Sequence, residues 1–322
     1  MSRDHESASA RCISQWPALR PTSFAVTPNM KPSPTVSWFC KCVLMAASVL
    51  AADRLATVAI GTKLQQPAAT VRDGSLITLN RYVQEPAPDV VLVGSSVAWR
   101  LKEEYFSTSR VRNLALAGGS PLTSLEIVAR QRQLPKIVLI ETNVLSRPAD
   151  RALVERFAGQ ENSDAFLRPV RTAIAAYETW NHAPPDPARV RAALDGLLSQ
   201  PPSAFDNRVY VERAVKEQNA QDWAVAVRAN VVLIKQLMAE IERRGSQARL
   251  IEIPLAPEIM EARGARETRQ IVRDAFPDRA AWLSIDAPPA ELRWADGVHL
   301  DERSALIVAR AIEKALAGAK AR

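Results

Sequence analysis

Three hydrophobic patterns succeed one another along the chain. Residues 1–35 are polar, rich in Ser and Pro, and without periodicity. Such a stretch has too few apolar side chains to offset the entropy of ordering, and it predicts a disordered leader. Residues 36–61 turn apolar, VSWFCKCVLMAASVLAADRLATVAIG. From residue 89 onward, short β-branched runs alternate with longer stretches whose apolar positions recur at helical spacing. The runs are residues 89–93, 111–116, 136–141, 248–254 and 282–286. The helical stretches are 97–104, 123–133, 220–244 and 301–317. In the third of these, Trp223, Val227, Val231, Ile234 and Met238 share a face; in the last, Ala305, Val308, Ile312 and Leu316 do, behind Asp301 as N-cap. Continuous apolar strands separated by helices predict an α/β fold. The expected form is a doubly wound, flavodoxin-like parallel sheet of about five strands with helices on both faces.

The same pattern divides the chain. Residues 62–88 are mixed and reach the first strand through Pro86-Ala87-Pro88, so they read as a linker. The α/β domain then runs over 89–322, interrupted at about 146–218, where Pro184-Pro185-Asp186-Pro187 and Pro201-Pro202 break the alternation. That stretch is long for a connection and is read as an insertion over the sheet, either a lid or a helical decoration.

Residues 36–61 reach the length of a spanning helix but contain Lys41, Asp53 and Arg54. A signal anchor, with Lys31 and Lys41 kept inside and the body exported, is the leading expectation. A cleaved signal peptide with Leu50-Ala51-Ala52 as its site, and an amphipathic helix packed on a soluble domain, remain open beside it. Met30-Lys31-Pro32 offers a second start within the leader.

Composition adds mainly exclusions. The net charge of +7 comes from 42 Lys and Arg against 35 Asp and Glu, spread along the chain rather than gathered in a basic tract. No nucleic-acid partner is expected from that distribution. The three cysteines, Cys12, Cys40 and Cys42, all precede Val43, so neither a disulfide framework nor a Cys-based metal site is expected. The three histidines are too few and too scattered for metal catalysis, and no cofactor is called for.

Scarcity makes one histidine informative. His5 lies in the leader and His182 in the Pro-rich insertion; His299 alone lies in the α/β body, three residues after Asp296. That spacing lets the carboxylate reach one ring nitrogen while the other faces outward. Ser96, Gly118 and Asn143 lie at or just past the carboxyl ends of the first three strands, the edge where open parallel sheets build their sites. Each has an ordinary reading as a turn or cap residue. In order and at one edge, they are what acyl transfer by serine requires: a nucleophile, a base, an orienting carboxylate and oxyanion donors.

These blocks resemble the SGNH (GDSL-like) hydrolase superfamily, whose pattern is Gly-Asp-Ser, Gly, Gly-x-Asn and Asp-x-x-His. Here they read Gly94-Ser95-Ser96, Gly118, Glu141-Thr142-Asn143 and Asp296-Gly297-Val298-His299. The resemblance covers residue 89 to the C-terminus apart from the insertion. It implies Ser96 as nucleophile, His299 as base and Asp296 as its orienter. The Ser96 and Gly118 N–H groups and the Asn143 amide would form the oxyanion hole. Two positions depart from the pattern: Ser95 stands where Asp is usual, and Glu141 where Gly is usual. A carboxylate at 141 needs a partner, with Arg130, Arg147 and Arg293 as candidates. Gly-Ser-Ser resembles the exported, membrane-anchored branch of the superfamily.

The resemblance implies an exported esterase or O-acyltransferase anchored in the inner membrane, its catalytic domain periplasmic, or else secreted. It would act on acyl, above all acetyl, esters of a cell-envelope or exopolysaccharide glycan, with a membrane-bound acyl donor as a possible partner. Trp99, Trp180, Trp223 and Trp294 are candidates for stacking a sugar, although each taken alone reads first as a buried core tryptophan. An inactive envelope-assembly or glycan-binding protein on the same fold is the alternative, and a lipid or thioester hydrolase a third.

Overall fold

A computed structural model of the chain describes residues 34–60, 71–108, 110–158 and 186–320. Residues 1–33 of the expected leader, with His5 and Cys12, lie outside the described residues, as does the part of the insertion that holds Trp180 and His182. The chain forms two units, residues 1–49 and 50–322.

Helix α1 spans Pro34–Ile60, and its window Pro34–Ala52 has a mean hydropathy of 1.7 over 19 residues. Apolar side chains occur all round it rather than on one stripe, and Trp38, Phe39, Leu44 and Met45 are exposed. An amphipathic helix packed on a soluble domain would show a stripe. By length and composition α1 can cross a membrane, a character it shares with signal sequences.

Helix α2, Val71–Gln84, occupies most of the stretch expected as a linker. Leu76, Leu79 and Tyr82 are spaced at i, i+3 and i+6 and are buried, so this segment belongs to the core. Its Asp, Asn, Arg and Gly residues masked that spacing.

The sheet has four parallel strands among the described residues: β1 Val90–Val93, β2 Val111–Asn113, β3 Ile137–Glu141 and β4 Gln247–Ile251, in the order β2-β1-β3-β4. The register pairs Leu92 with Asn113 and Leu139, and Glu141 with Ile251. The second run, expected over 111–116, is shorter as a strand. Its backbone still follows β1, with Leu114 N–H donating to Leu92 O and Leu116 N–H to Gly94 O. The expected fifth strand shrinks to one bridge, Leu250 with Trp282. Beyond it Ser284, Asp286 and the Pro288-Pro289 pair end the apolar run, and proline has no N–H to give to a ladder.

Side chains alternate between the sheet's two faces, and both faces are covered. Val91, Val93, Val138 and Ile140 pack with α2, with α4 (Pro121–Arg130) and with α8 (Ala224–Arg243). Val90, Leu92, Ile137 and Leu139 pack instead with Leu306, Ala309 and Ile312 of the last helix, α11 (Glu302–Lys320). Between β1 and β2 lies the short α3, Ser96–Trp99; after β3 come α5 (Arg151–Phe157), α6 (Pro187–Leu198) and α7 (Arg208–Ala220). After β4 come α9 (Pro257–Met260) and α10 (Arg263–Ala275). The described part of the insertion is thus helical.

Candidate active site

The strand β1 stops at Val93, and Gly94 leads into α3 with Ser95 as N-cap. Ser95 Oγ accepts from the Val97 N–H at 3.2 Å. From the neighbouring strand β3, the carboxylate of Glu141 reaches under this turn. It accepts from the Ser95 N–H at 2.6 Å, from the Ser95 hydroxyl at 2.8 Å and from the Ala98 N–H at 3.3 Å. From the other neighbour, Asn113 of β2 donates to Ala98 O and Leu101 O, both at 2.8 Å. Ser96 is half-buried, and its N–H has no acceptor among the described residues.

Glu141 is fully buried. Burial pushes its carboxyl above the usual carboxylate range, against the hydrogen bonds from Ser95 and Ala98 and the more distant Arg147 charge. Among the described residues no arginine pairs with it directly, contrary to the expectation from sequence. Arg130 turns to Glu126, and Arg293 donates to Ala290 O and Leu292 O. Glu141 is satisfied by Ser95 and two backbone N–H groups. The two positions that depart from the resembled pattern are therefore each other's partners.

Asp296 and His299 are held together as their spacing suggested. One Asp296 oxygen accepts from the Val298 N–H at 3.1 Å and the His299 N–H at 2.7 Å, and the other lies 2.7 Å from His299 Nδ1. An ionised carboxylate can only accept, so Nδ1 carries the hydrogen and Nε2 of the neutral ring is left as an acceptor. Burial alone would raise the Asp296 carboxyl. The hydrogen bonds from the ring and the two backbone N–H groups outweigh it and hold the group below the usual range. The loop turns at Gly297, whose φ is +85°.

Ser96, Asn143 and His299 line one cavity of about 420 Å³. No hydrogen bond joins Ser96 Oγ to the His299 ring, a contact often long in free enzymes. Asn143 does more than line the wall: its Nδ2 donates to Ile253 O at 2.8 Å and its Oδ1 accepts from Ile253 N–H at 2.9 Å. One Nδ2 hydrogen remains. Gly118, with φ +77° and no acceptor for its N–H among the described residues, lines an adjoining cavity of about 720 Å³. Arg147 borders both cavities.

The cavity wall includes residues without a role in the sequence pattern: Ala214, Glu217 and Gln218 of α7 line it, so part of the insertion shapes the site, and the half-buried Trp223, a stacking candidate from the sequence, lines it too. Trp99 is exposed and is not among the residues lining this cavity, whereas Trp294 is tied to Pro254 O through its indole N–H. A charged residue closing a wholly buried strand was the available signal for Glu141. No group of three or more His, Cys, Asp or Glu that could hold a metal ion occurs among the described residues. Compared with protein-family models, curated proteins and solved structures, the chain matches none.

Proposed function

We propose that the protein is a serine esterase or O-acyltransferase that resembles the SGNH superfamily, on a doubly wound α/β domain held at the outer side of an inner membrane by α1. One observation carries the reading: a histidine with Nδ1 fixed by a carboxylate lines the same cavity as a serine at a strand-to-helix turn. The reaction follows from the roles. Ser96 Oγ attacks the ester carbonyl while its proton passes to His299 Nε2. The tetrahedral oxyanion is met by the Ser96 N–H and the Asn143 amide, which line its cavity, while the Gly118 N–H of the second cavity is a donor only on the resemblance. The C–O bond to the leaving alcohol breaks, the proton on Nε2 goes to that alcohol, and acyl-Ser96 remains. Water or a sugar hydroxyl then attacks acyl-Ser96 and gives its proton to Nε2; the C–O bond to Ser96 Oγ breaks, Oγ takes that proton back, and the acid or the new ester is released. Asp296 stabilises the imidazolium formed in both halves.

Trp223, in the wall of the Ser96 cavity, offers a flat apolar face to a sugar ring. That supports a glycan ester as substrate, with acetyl the simplest acyl group. The missing hydrogen bond between Ser96 and His299 favours a second reading, a glycan-binding protein without turnover. A fluorophosphonate probe separates the two. Full-length protein in detergent should be labelled at Ser96 and should hydrolyse a short-chain acetyl ester, and Ser96→Ala should abolish both. Hydrolysis that persists unchanged in Ser96→Ala would sink the nucleophile assignment.

A further inference from the structure

We propose that Glu141 is a positioning residue for the nucleophile, its buried carboxylate engaging the donors around Ser96 so that the Ser96 N–H is left as the free donor of the turn. The inference rests on the acyl-transfer reading for its catalytic consequence, though not for its structural one. Across residues 95–98 the hydrogen-bonding groups are almost all spoken for. The Ser95 N–H, the Ser95 hydroxyl and the Ala98 N–H go to Glu141, and the Val97 N–H goes to Ser95 Oγ. Ser95 is thus both a donor to Glu141 and an acceptor from the turn, so the carboxylate fixes the turn through two routes.

The fit is tight. A Cβ on Gly94 would fall 2.6 Å from Glu141 Oε2, so the glycine is what admits the carboxylate. Glu141 ends β3 two residues before Asn143, which ties the strand to Ile253. One strand end therefore carries both an oxyanion candidate and the group that orients the nucleophile. An angstrom of drift between them would be costly, since misplacement of that size lowers rates by about a hundredfold. Glu141 touches no substrate in this scheme and acts only through Ser95 and the α3 backbone.

The test uses the full-length chain in detergent with Glu141→Leu, Glu141→Gln, Ser95→Ala and the double variant Glu141→Leu/Ser95→Ala. Two readouts are taken beside thermal stability: hydrogen exchange of the peptide covering residues 94–101, and the rate constant for fluorophosphonate labelling of Ser96. Glu141→Leu should speed exchange in that peptide and slow labelling on the order of tenfold to a hundredfold. Glu141→Gln should recover most of both, because its carbonyl oxygen still accepts from the Ser95 and Ala98 N–H groups. The double variant should label no more slowly than Glu141→Leu, as expected for residues acting as one unit. Wild-type exchange and labelling in Glu141→Leu, or in Ser95→Ala if the leucine variant does not fold, would overturn the proposal. So would a glutamine variant as slow as the leucine one. If the wild-type protein takes no label, the nucleophile assignment falls, while the exchange data still decide whether Glu141 holds the turn.

Discussion

At the scale of single residues, Asp296 does two jobs with its two oxygens. One oxygen shapes the loop through the Val298 and His299 N–H groups, and the other orients the ring. Asp296→Asn separates them. Asn keeps an oxygen for the backbone but turns an NH₂ toward Nδ1, which forces the hydrogen onto Nε2 and removes the base. The expected result is a loss in kcat of about 10³–10⁴-fold with the loop intact, read by steady-state ester hydrolysis beside circular dichroism. Stability should also depend on pH in a defined direction. The folded-state Asp296 carboxyl lies below its ordinary value. Its contribution is therefore present above the unfolded-state value, about 3.9, and is lost as pH falls through the folded one. Denaturant midpoints of wild type and Asp296→Asn should differ near neutrality and converge as pH drops below about 4.

Elements carry the next constraint, because the turns that present Ser96 and His299 are set by glycines with different reasons for being there. Gly94 is needed for space: a Cβ would lie 2.5 Å from Ala98 Cβ as well as 2.6 Å from Glu141. Gly297 is needed for conformation, with φ +85°, and for space, since its Cβ would meet Val211 Cγ2 of α7 at 2.7 Å. Gly94→Ala should cost about 1–3 kcal/mol by overpacking, and Gly297→Ala at least about 1–2 kcal/mol from the left-handed backbone alone. Both are measured by urea unfolding; a neutral Gly297→Ala would mean that the loop does not hold the left-handed turn at 297 with α7 seated against it.

The same elements show what was legible beforehand. The β-branched runs announced β1 and β3 because parallel strands buried on both faces are nearly continuous in apolar residues, and β4, at the sheet edge, was legible from its buried Leu250-Ile251 end. The rarity of histidine picked out His299, and its spacing from Asp296 became a 2.7 Å contact. Three features escaped. Helix α2 was hidden because polar residues interrupt its apolar spacing. The fifth strand was overread from a short apolar run that prolines cut off. The sequence points to arginines as partners of Glu141, because ion pairing is visible in composition, whereas acceptance from a neighbouring strand's turn depends on register. Ser95 and Glu141 are 46 residues apart in sequence and meet only because β1 and β3 are adjacent.

For the whole molecule the open quantity is how α1 is used. Its window holds one charge, Lys41, in its first half, and apolar residues follow on every side. If α1 anchors the chain, removal from the membrane should need detergent, and alkaline carbonate should leave the protein in the pellet. Placing charges in the middle of the window gives the sharper test. Leu44→Arg and Val49→Arg together add about 5–7 kcal/mol to the cost of insertion, at roughly 2.5–3.5 kcal/mol each on a translocon scale. That is enough to reverse the balance for a helix whose other residues contribute only about 0.3–0.6 kcal/mol each. The double variant should leave the membrane fraction. Orientation is read separately, by fusing alkaline phosphatase, which is active only outside the cytoplasm, after residue 322. With Lys31 and Lys41 on the inner side the wild-type fusion should be active, and adding three lysines after residue 61 should lower that activity by competing for the inner face. An inactive wild-type fusion with an intact membrane pellet would keep the anchor but turn the proposed acyl-transfer site to the cytoplasm, which would remove envelope glycans from the candidate substrates.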